Sequence, residues 1–199
     1  MRPGAVARPV LSARGMSTPT HPIAALPTYP EGAAPGVVHA VVETPKGSAH
    51  KLDWDPALGV FALTKVMPAG HTFPFDFGFV PGTVGGDGDP LDVLVLMDDP
   101  TWPGVVVEAR LLGVLEAEQT ERDGTTERND RLVAAATVTR HHADLRTLAD
   151  VSAVTLDEVE EFFRSYNALA GKEVRFLGRG DAERARAVLD EGVRAAGAR

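Results

Sequence analysis

The order of the apolar segments along the chain constrains the fold most. Short segments rich in Val and Leu, separated by turns of Gly, Pro and Asp, come first, which is the pattern of β-strands. Helical spacing follows, over residues 156–166 and again over about 182–196. Strands followed by helices predict a mainly β fold, a closed or half-closed barrel with helices packed outside it. The five predicted strands span residues 37–43, 60–65, 93–97, 105–115 and 132–138.

The first thirty residues differ in composition from the rest. Pro and Ala are frequent there, arginines are the only charges, and the first acidic residue is Glu31. We expect a disordered tail over residues 1–30 and one domain over 31–199, since 199 residues suffice for one sizeable core. A leader with arginines and no acids also fits a transit peptide. Its prolines make a poor helix, however, which favours a true start downstream, at Met16.

Charge and composition exclude several classes of protein. A formal net charge of -8 argues against sequence-independent binding of nucleic acid, which requires a basic face. The absence of cysteine excludes disulfides and fits a reducing compartment, so we expect a cytoplasmic protein. No apolar run approaches the roughly 18 residues that span a bilayer, so we expect no membrane partner.

A turn with three aspartates precedes the third predicted strand. Asp87, Asp89 and Asp92 lie in the run Gly-Asp-Gly-Asp-Pro-Leu-Asp at positions 86–92. Glycines allow a sharp turn, and carboxylate oxygens are the ligands that Mg²⁺ prefers. A plain surface turn explains these seven residues equally well.

Charged residues at the ends of the predicted strands favour the metal interpretation. They are Glu43, Lys51, Asp53, Lys65 and Arg131. Each alone is typical of a solvated strand edge. Together they mix carboxylates for divalent cations with Lys and Arg for phosphate oxygens, a combination that suits phosphoryl transfer to water.

Two segments carry a family resemblance. Phe-Pro-Phe-Asp-Phe-Gly-Phe-Val-Pro at 73–81 and Asp-Gly-Asp-Pro-Leu-Asp-Val at 87–93 resemble the family I soluble inorganic pyrophosphatases. The resemblance extends over about residues 37–179. It implies an OB-like closed five-stranded β-barrel with C-terminal helices. It also implies Mg²⁺-dependent hydrolysis of inorganic pyrophosphate to two phosphates, with Mn²⁺ or Zn²⁺ as other possible metals, by a homo-oligomer that is often a hexamer.

The resemblance also implies roles for individual residues. Asp87, Asp89 and Asp92 are similar to the family's metal ligands, and Asp89 to the residue that takes a proton from the attacking water. The groups similar to pyrophosphate-binding residues are Lys51, Lys65, Arg131 and Tyr166. Glu43 and Asp53 correspond to residues that orient metal-bound waters. Tyr166 fits the core equally well, because it shares a helix face with aromatic residues.

Several positions depart from the family pattern. Gln119 and Asn129 stand where two further metal-binding aspartates are expected, and Glu118, Glu127 and Asp130 are near enough to substitute. Strand alternation would, however, put Glu118 on the face opposite Gln119. Fewer anionic ligands predict a higher Mg²⁺ requirement than in a fully matched relative. The other replacements are Lys65 for arginine, Arg131 and Asn167 for lysine, and Phe73 and Phe77 for tyrosine.

Three functions are compatible with this pattern. Hydrolysis of inorganic pyrophosphate is favoured by the intact aspartate triad. Hydrolysis of another phosphoanhydride or an organic diphosphate would suit the more apolar pocket that Phe73 and Phe77 create. A non-catalytic scaffold that binds phosphate or metal is the third, since a fold alone does not imply activity.

Overall fold

The computed structural model describes residues 22–198. Nine strands and two α-helices are found within this range. The strands are β1 (Val37–Thr44), β2 (His50–Asp55), β3 (Val60–Val66), β4 (Asp76–Phe79), β5 (Asp92–Leu96), β6 (Val106–Thr120), β7 (Thr126–Arg128), β8 (Arg131–Ala136) and β9 (Glu173–Gly180). The helices are α1 (Ala153–Leu169) and α2 (Ala182–Gly197).

Five of these strands form a closed ring in the described residues. Their order is β1-β4-β5-β8-β6, and β6 pairs with β1 to complete the circle. Neighbours in the ring are antiparallel except β5 and β8, which run parallel. The predicted five-stranded barrel with C-terminal helices is therefore confirmed.

Both faces of the barrel wall are buried. Along β5, Val93 and Val95 pack in one apolar cluster with residues of α2, whereas Leu94 and Leu96 pack in a second cluster with residues of α1. Alternation along a strand sends successive side chains to opposite faces, so a continuous apolar run is required. Packing on both faces of the barrel wall thus stabilises the parallel pairing of β5 and β8.

Strand β6 is the longest strand and connects the barrel to its surroundings. It pairs with β1 and β8 in the ring, and its second half extends beyond the ring to pair with β7 and β9. At Gly113 a side chain would collide with a neighbour, since a Cβ atom would lie 2.4 Å from the carbonyl oxygen of Gly180. Residues of this extension reach the charged end of the barrel.

Strands β2 and β3 form a separate two-stranded hairpin. Lys51 and Lys65 are paired in its register. The hydroxyl of Thr44, at the end of β1, accepts from the backbone amide of Leu52 and donates to its carbonyl. The hairpin is thereby attached beside the end of β1, where Glu43 lies.

Some predicted boundaries require correction. Helix α1 begins at Ala153, three residues before the predicted start of helical spacing at residue 156. The five predicted segments do not include strands β2, β4, β7 and β9, and β6 continues to Thr120. No helix of the described range is long and apolar enough to span a membrane.

The predicted tail divides into two parts. Residues 1–21, which include Met16, lie outside the described residues. Residues 22–30 belong to the described fold, with a short 3-10 helix at Pro22–Ala25. The Thr28 hydroxyl donates to the carbonyl of Pro81 at 2.8 Å, so the fold begins before the predicted boundary at residue 31.

Candidate active site

A polar cavity lies at the end of the barrel where β5 and β8 begin. It has a volume of about 200 Å³, and its lining includes nearly all the residues singled out from the sequence. The lining comprises Lys51, Lys65, Phe73, Phe77, Asp87, Asp89, Asp92, Gln119, Asn129, Arg131, Phe163, Tyr166, Asn167 and Lys172. Residues distant in sequence thus converge on one cleft.

The aspartate turn is folded by its own backbone. The amide of Gly85 donates to the carbonyl of Asp89 at 2.6 Å, and Gly88 adopts a left-handed conformation with φ of 91°. Gly86 packs tightly against the β7–β8 connection, because a Cβ atom there would lie 2.6 Å from the carbonyl oxygen of Arg128. Glycine at positions 86 and 88 is therefore required by the turn.

Strand register brings the acidic and basic sides of the cleft together. Asp92 and Arg131 are paired residues at the starts of the parallel strands β5 and β8. The Arg131 Nε atom lies 3.8 Å from Asp92 Oδ2. The side chain of Arg131 is only 3% exposed, whereas that of Asp92 is 27% exposed at the floor of the cleft.

The guanidinium of Arg131 has a buried donor for which the protein supplies no acceptor. Its Nη1 atom donates to the carbonyl of Asn129 at 2.9 Å, and its guanidinium lies 4.3 Å from the centre of the Phe163 ring. Its buried Nε atom hydrogen-bonds to no protein atom. An unsatisfied buried donor is costly, so this position favours an anion.

Two of the three aspartates, Asp87 and Asp92, have raised pKa values. Burial raises the pKa of Asp92 to about 6, although the charges of Arg131 and Lys51 oppose the rise. Burial also raises the pKa of Asp87, and the nearby charge of Asp89 adds to the effect. Placing a cation among these groups would favour their ionised forms.

The chemistry of these donors fits a hard divalent cation. Asp87, Asp89 and Asp92 offer carboxylate oxygens to one cavity. Within residues 22–198, no three His, Asp or Glu side chains are already grouped closely enough to hold an ion. The aspartates would therefore have to turn towards the metal as it binds.

Gln119 and Asn129 both reach the cavity, but their amides are engaged. Asn129 Nδ2 donates to Asp87 Oδ2 at 3.0 Å, and Gln119 Nε2 donates to Glu121 Oε1 at 2.7 Å. Both are neutral groups in contact with a carboxylate. Neither adds negative charge to the aspartate turn.

Two of the suggested acidic substitutes are committed elsewhere. Glu118 forms an ion pair with Arg175, and it faces away from Gln119 as strand alternation predicts. Asp130 accepts from the backbone amide of Ala117 and from Arg128 Nε, at 2.9 and 2.7 Å. These two carboxylates are therefore structural partners, and none of the three suggested residues, Glu118, Glu127 and Asp130, lines the cavity.

Two lysines from the hairpin form the opposite wall. Lys51 donates to Asp53, which also accepts from the hydroxyl of Thr64. Lys65 Nζ donates to the Tyr166 hydroxyl at 2.8 Å and lies 4.4 Å from the centre of that ring. The Tyr166 side chain stacks on Phe162 and is buried, so this residue belongs both to the core and to the cleft.

Glu43 lies on the far side of this wall. It is buried and accepts from the backbone amide of Trp54 at 2.7 Å. A second cavity of about 470 Å³ adjoins it, whose lining also includes Asp53, Asp89 and Asp92. Glu43 and Asp53 thus flank the cleft, as the sequence indicates.

One basic residue of the cleft was not predicted. Lys172 follows Gly171 at the end of α1 and lines the same cavity as Arg131. Its Nζ atom lies 2.7 Å from Glu121 Oε2. The sequence gives little sign of this position, because β9 and the extension of β6, which bring the two residues together, were not predicted.

A closed barrel that carries an acidic turn and basic side chains around one cavity defines the class of fold and site. Comparison with known proteins gives the family. The family described as "Inorganic pyrophosphatase" matches residues 40–196. The chain therefore belongs to the inorganic pyrophosphatase family, a family of hydrolases that act on diphosphate bonds.

Individual relatives agree with this assignment. The inorganic pyrophosphatase of Nostoc sp. (strain PCC 7120) is 38% identical over 170 residues, which cover 85% of this chain and 96% of the relative. The crystal structure of the Thermus thermophilus inorganic pyrophosphatase has a TM-score of 0.80 and 34% identity, and the match covers 88% of this chain and 98% of that one. The Helicobacter pylori inorganic pyrophosphatase has a TM-score of 0.74 and 34% identity, covering 81% and 94%.

Proposed function

We propose that this protein hydrolyses inorganic pyrophosphate to two phosphates with the help of Mg²⁺. The observation that carries the proposal is the position of Arg131, a buried cation whose Nε atom has no protein acceptor and which lines one small cavity together with the aspartates. A substrate with negative charge at both ends, bound together with a cation, satisfies both sides. Membership of the inorganic pyrophosphatase family supports the same substrate.

The acidic turn would hold the metal. Asp87, Asp89 and Asp92 are its proposed ligands, and Mn²⁺ or Zn²⁺ are alternatives with the same type of donor. Bound there, the metal would lower the pKa of an attacking water and offset charge on the phosphate. Asp89 lines both cavities, which supports its proposed role as the acceptor of the proton that the water loses. Gln119 and Asn129 are proposed as neutral, secondary ligands of the metal.

The basic wall would hold the phosphates. Arg131 offers its free Nε donor, and Lys51 and Lys65 offer ammonium groups from the hairpin. These positive charges would stabilise the departing phosphate as negative charge develops on it. The Tyr166 hydroxyl, already bonded to Lys65, orients that ammonium towards the cavity. Glu43 and Asp53 would orient waters at the edge of the site.

The test is phosphate release from inorganic pyrophosphate over a Mg²⁺ series. Asp89→Asn keeps the size of the side chain and removes the proton acceptor, so kcat should fall by about 10²–10⁴-fold. Asp99→Asn is the matched control, because Asp99 is exposed and does not line the cleft. Release that is absent at every Mg²⁺ concentration, or that is equal in both variants, would contradict the proposal.

A second candidate is hydrolysis of an organic diphosphate. The cavity of about 470 Å³ next to Asp89 and Asp92 has a largely apolar wall that includes Pro56, Phe79 and Pro81. Such a wall suits an organic group attached to a diphosphate. Faster turnover of an organic diphosphate or ATP than of pyrophosphate in the same assay would favour this candidate. The cytoplasmic location and the homo-oligomer implied by the resemblance stay predictions.

A further inference from the structure

Lys172 lies in the cleft but has no role in the function proposed above. Gly171 ends α1 in a left-handed conformation with φ of 73°, and the amide of Lys172 then donates to the carbonyl of Asn167 at 2.9 Å. These bonds fix the backbone where the side chain leaves it. The side chain lines the same 200 Å³ cavity as Lys51, Lys65 and Arg131.

Apart from its ion-pair partner Glu121, Lys172 lies beside neutral residues on this side of the cleft. Gln119, Asn129 and Asn167 present amides where charged groups would otherwise lie. Asn167 is only 3% exposed, and its Nδ2 atom donates to the carbonyl of Phe163 within α1 at 2.8 Å. Its amide is therefore occupied inside the helix, and Lys172 supplies positive charge on this side.

The present partner of Lys172 leaves room for a second acceptor. Its Nζ atom lies 2.8 and 2.7 Å from the two carboxylate oxygens of Glu121, one of which also accepts from Gln119. An ammonium group has three donors, so it can contact Glu121 and another anion at once. The pair is about one-third exposed, and pairs of this kind hold their partners weakly.

We propose that Lys172 is an additional pyrophosphate-binding residue, which contacts the phosphate lying towards Gln119 and Asn129. When no phosphate is bound, Glu121 holds the Lys172 side chain at the cleft. The proposal rests on the proposed function. Gln119 and Asn129 would bind a divalent cation more weakly than carboxylates would, so an ammonium here meets a phosphate oxygen with less competition from the metal. The positive charge that Asn167 lacks is thus provided by the next segment of the chain.

The first test measures binding of inorganic phosphate by calorimetry, together with kcat and KM for pyrophosphate. Lys172→Met should weaken phosphate binding and raise KM by about tenfold, since it removes one charge-assisted hydrogen bond. Its kcat should change less than its KM. Lys172→Arg should recover most of the affinity. Lys46→Met is the control, because Lys46 is exposed, lies over Phe75 and does not line this cavity.

A further variant separates direct contact from an effect of the ion pair. Glu121→Gln removes the competing charge and leaves the lysine, so phosphate affinity should stay equal or increase. A loss in Glu121→Gln as large as in Lys172→Met would overturn the proposal. Equal phosphate affinity in Lys172→Met and Lys46→Met would overturn it as well.

The two proposals fail in different ways. If the wild-type protein releases phosphate and Lys172→Met matches it in KM and in phosphate affinity, the role of Lys172 is wrong and the proposed function stands. If the wild-type protein binds phosphate through Lys172 but never hydrolyses pyrophosphate, the proposed function is wrong and the phosphate contact stands.

Discussion

Lys65 and Tyr166 meet across the cleft from separate elements, β3 and α1, with the ammonium 2.8 Å from the phenol oxygen. They are 101 positions apart in the sequence. The tyrosine ring packs in the core between Phe162 of α1 and Phe73 of the β3–β4 connection, so the position of its hydroxyl is fixed. The flexible lysine is therefore oriented by a rigid partner.

Tyr166→Phe should separate the two roles of Tyr166. The ring packing remains, so we expect the free energy of unfolding to fall by about 1 kcal/mol or less. KM for pyrophosphate should rise severalfold because Lys65 loses its anchor. Steady-state kinetics with Lys65→Met and the double variant would measure the coupling. Strictly additive effects of the two substitutions would show that the contact has no role in binding.

Asn129→Asp should change how the aspartate turn responds to metal. Without metal, a second carboxylate about 3 Å from Asp87 Oδ2 would repel it, and the melting temperature should fall. With Mg²⁺, the added ligand should increase the stabilisation and lower the Mg²⁺ concentration needed for half-maximal activity. Thermal unfolding over a Mg²⁺ series checks both effects. An unchanged Mg²⁺ midpoint would mean that Asn129 is not near the metal.

Glu43 should make stability depend on pH. Burial raises its pKa from 4.5 to about 7, so the folded protein holds a proton that the unfolded chain releases. Stability from this group is complete below about pH 4.5 and is lost as the pH rises through 7. Glu43→Gln should therefore become more stable than the wild type as the pH rises, by roughly 3 kcal/mol at most. Denaturant unfolding without metal at pH 5 and pH 8 measures the difference, which should be absent if Glu43 titrates normally.

Gly86→Ala should disturb the aspartate turn. A methyl group there would lie 2.6 Å from the carbonyl oxygen of Arg128, so the turn must shift and stability should fall by about 1–3 kcal/mol. Phosphate release should fall with it. Gly178→Ala is the matched control, because its nearest neighbour would be 3.9 Å away. Equal stability and activity of the two variants would show that the close approach at Gly86 is not required.

The sequence predicts the barrel well because its strands have strong local signals. The run 93–97 is apolar throughout, and only a strand buried on both faces needs such a run. Strand β4 was not predicted because it has only four residues and lies between Pro74 and Pro81, and prolines this close together are typical of a loop. Strand β9 contains two arginines and two glycines among its eight residues, so its apolar pattern is weak.

The site was predictable only where its residues belong to one segment or to the family pattern. Asp87, Asp89 and Asp92 form a motif that can be read directly. The pairing of Glu121 with Lys172 depends on how far β6 extends and on its register with β9. The hydrogen bond from the backbone amide of Ala117 to Asp130 likewise depends on tertiary contacts. Proximity in sequence therefore could not show that Asp130 does not replace a missing metal ligand.

Both the core and the cleft depend on the register of β5 against β8. Opposite Asp92 stands Arg131, and the next pairs are Val93 with Leu132 and Leu94 with Val133. A slip by one residue would turn every side chain of one strand to the other face, taking the arginine out of the cleft and an aliphatic side chain into it. A misregistered barrel would lose its core and its chemistry together, so no partly folded form of this chain should be active.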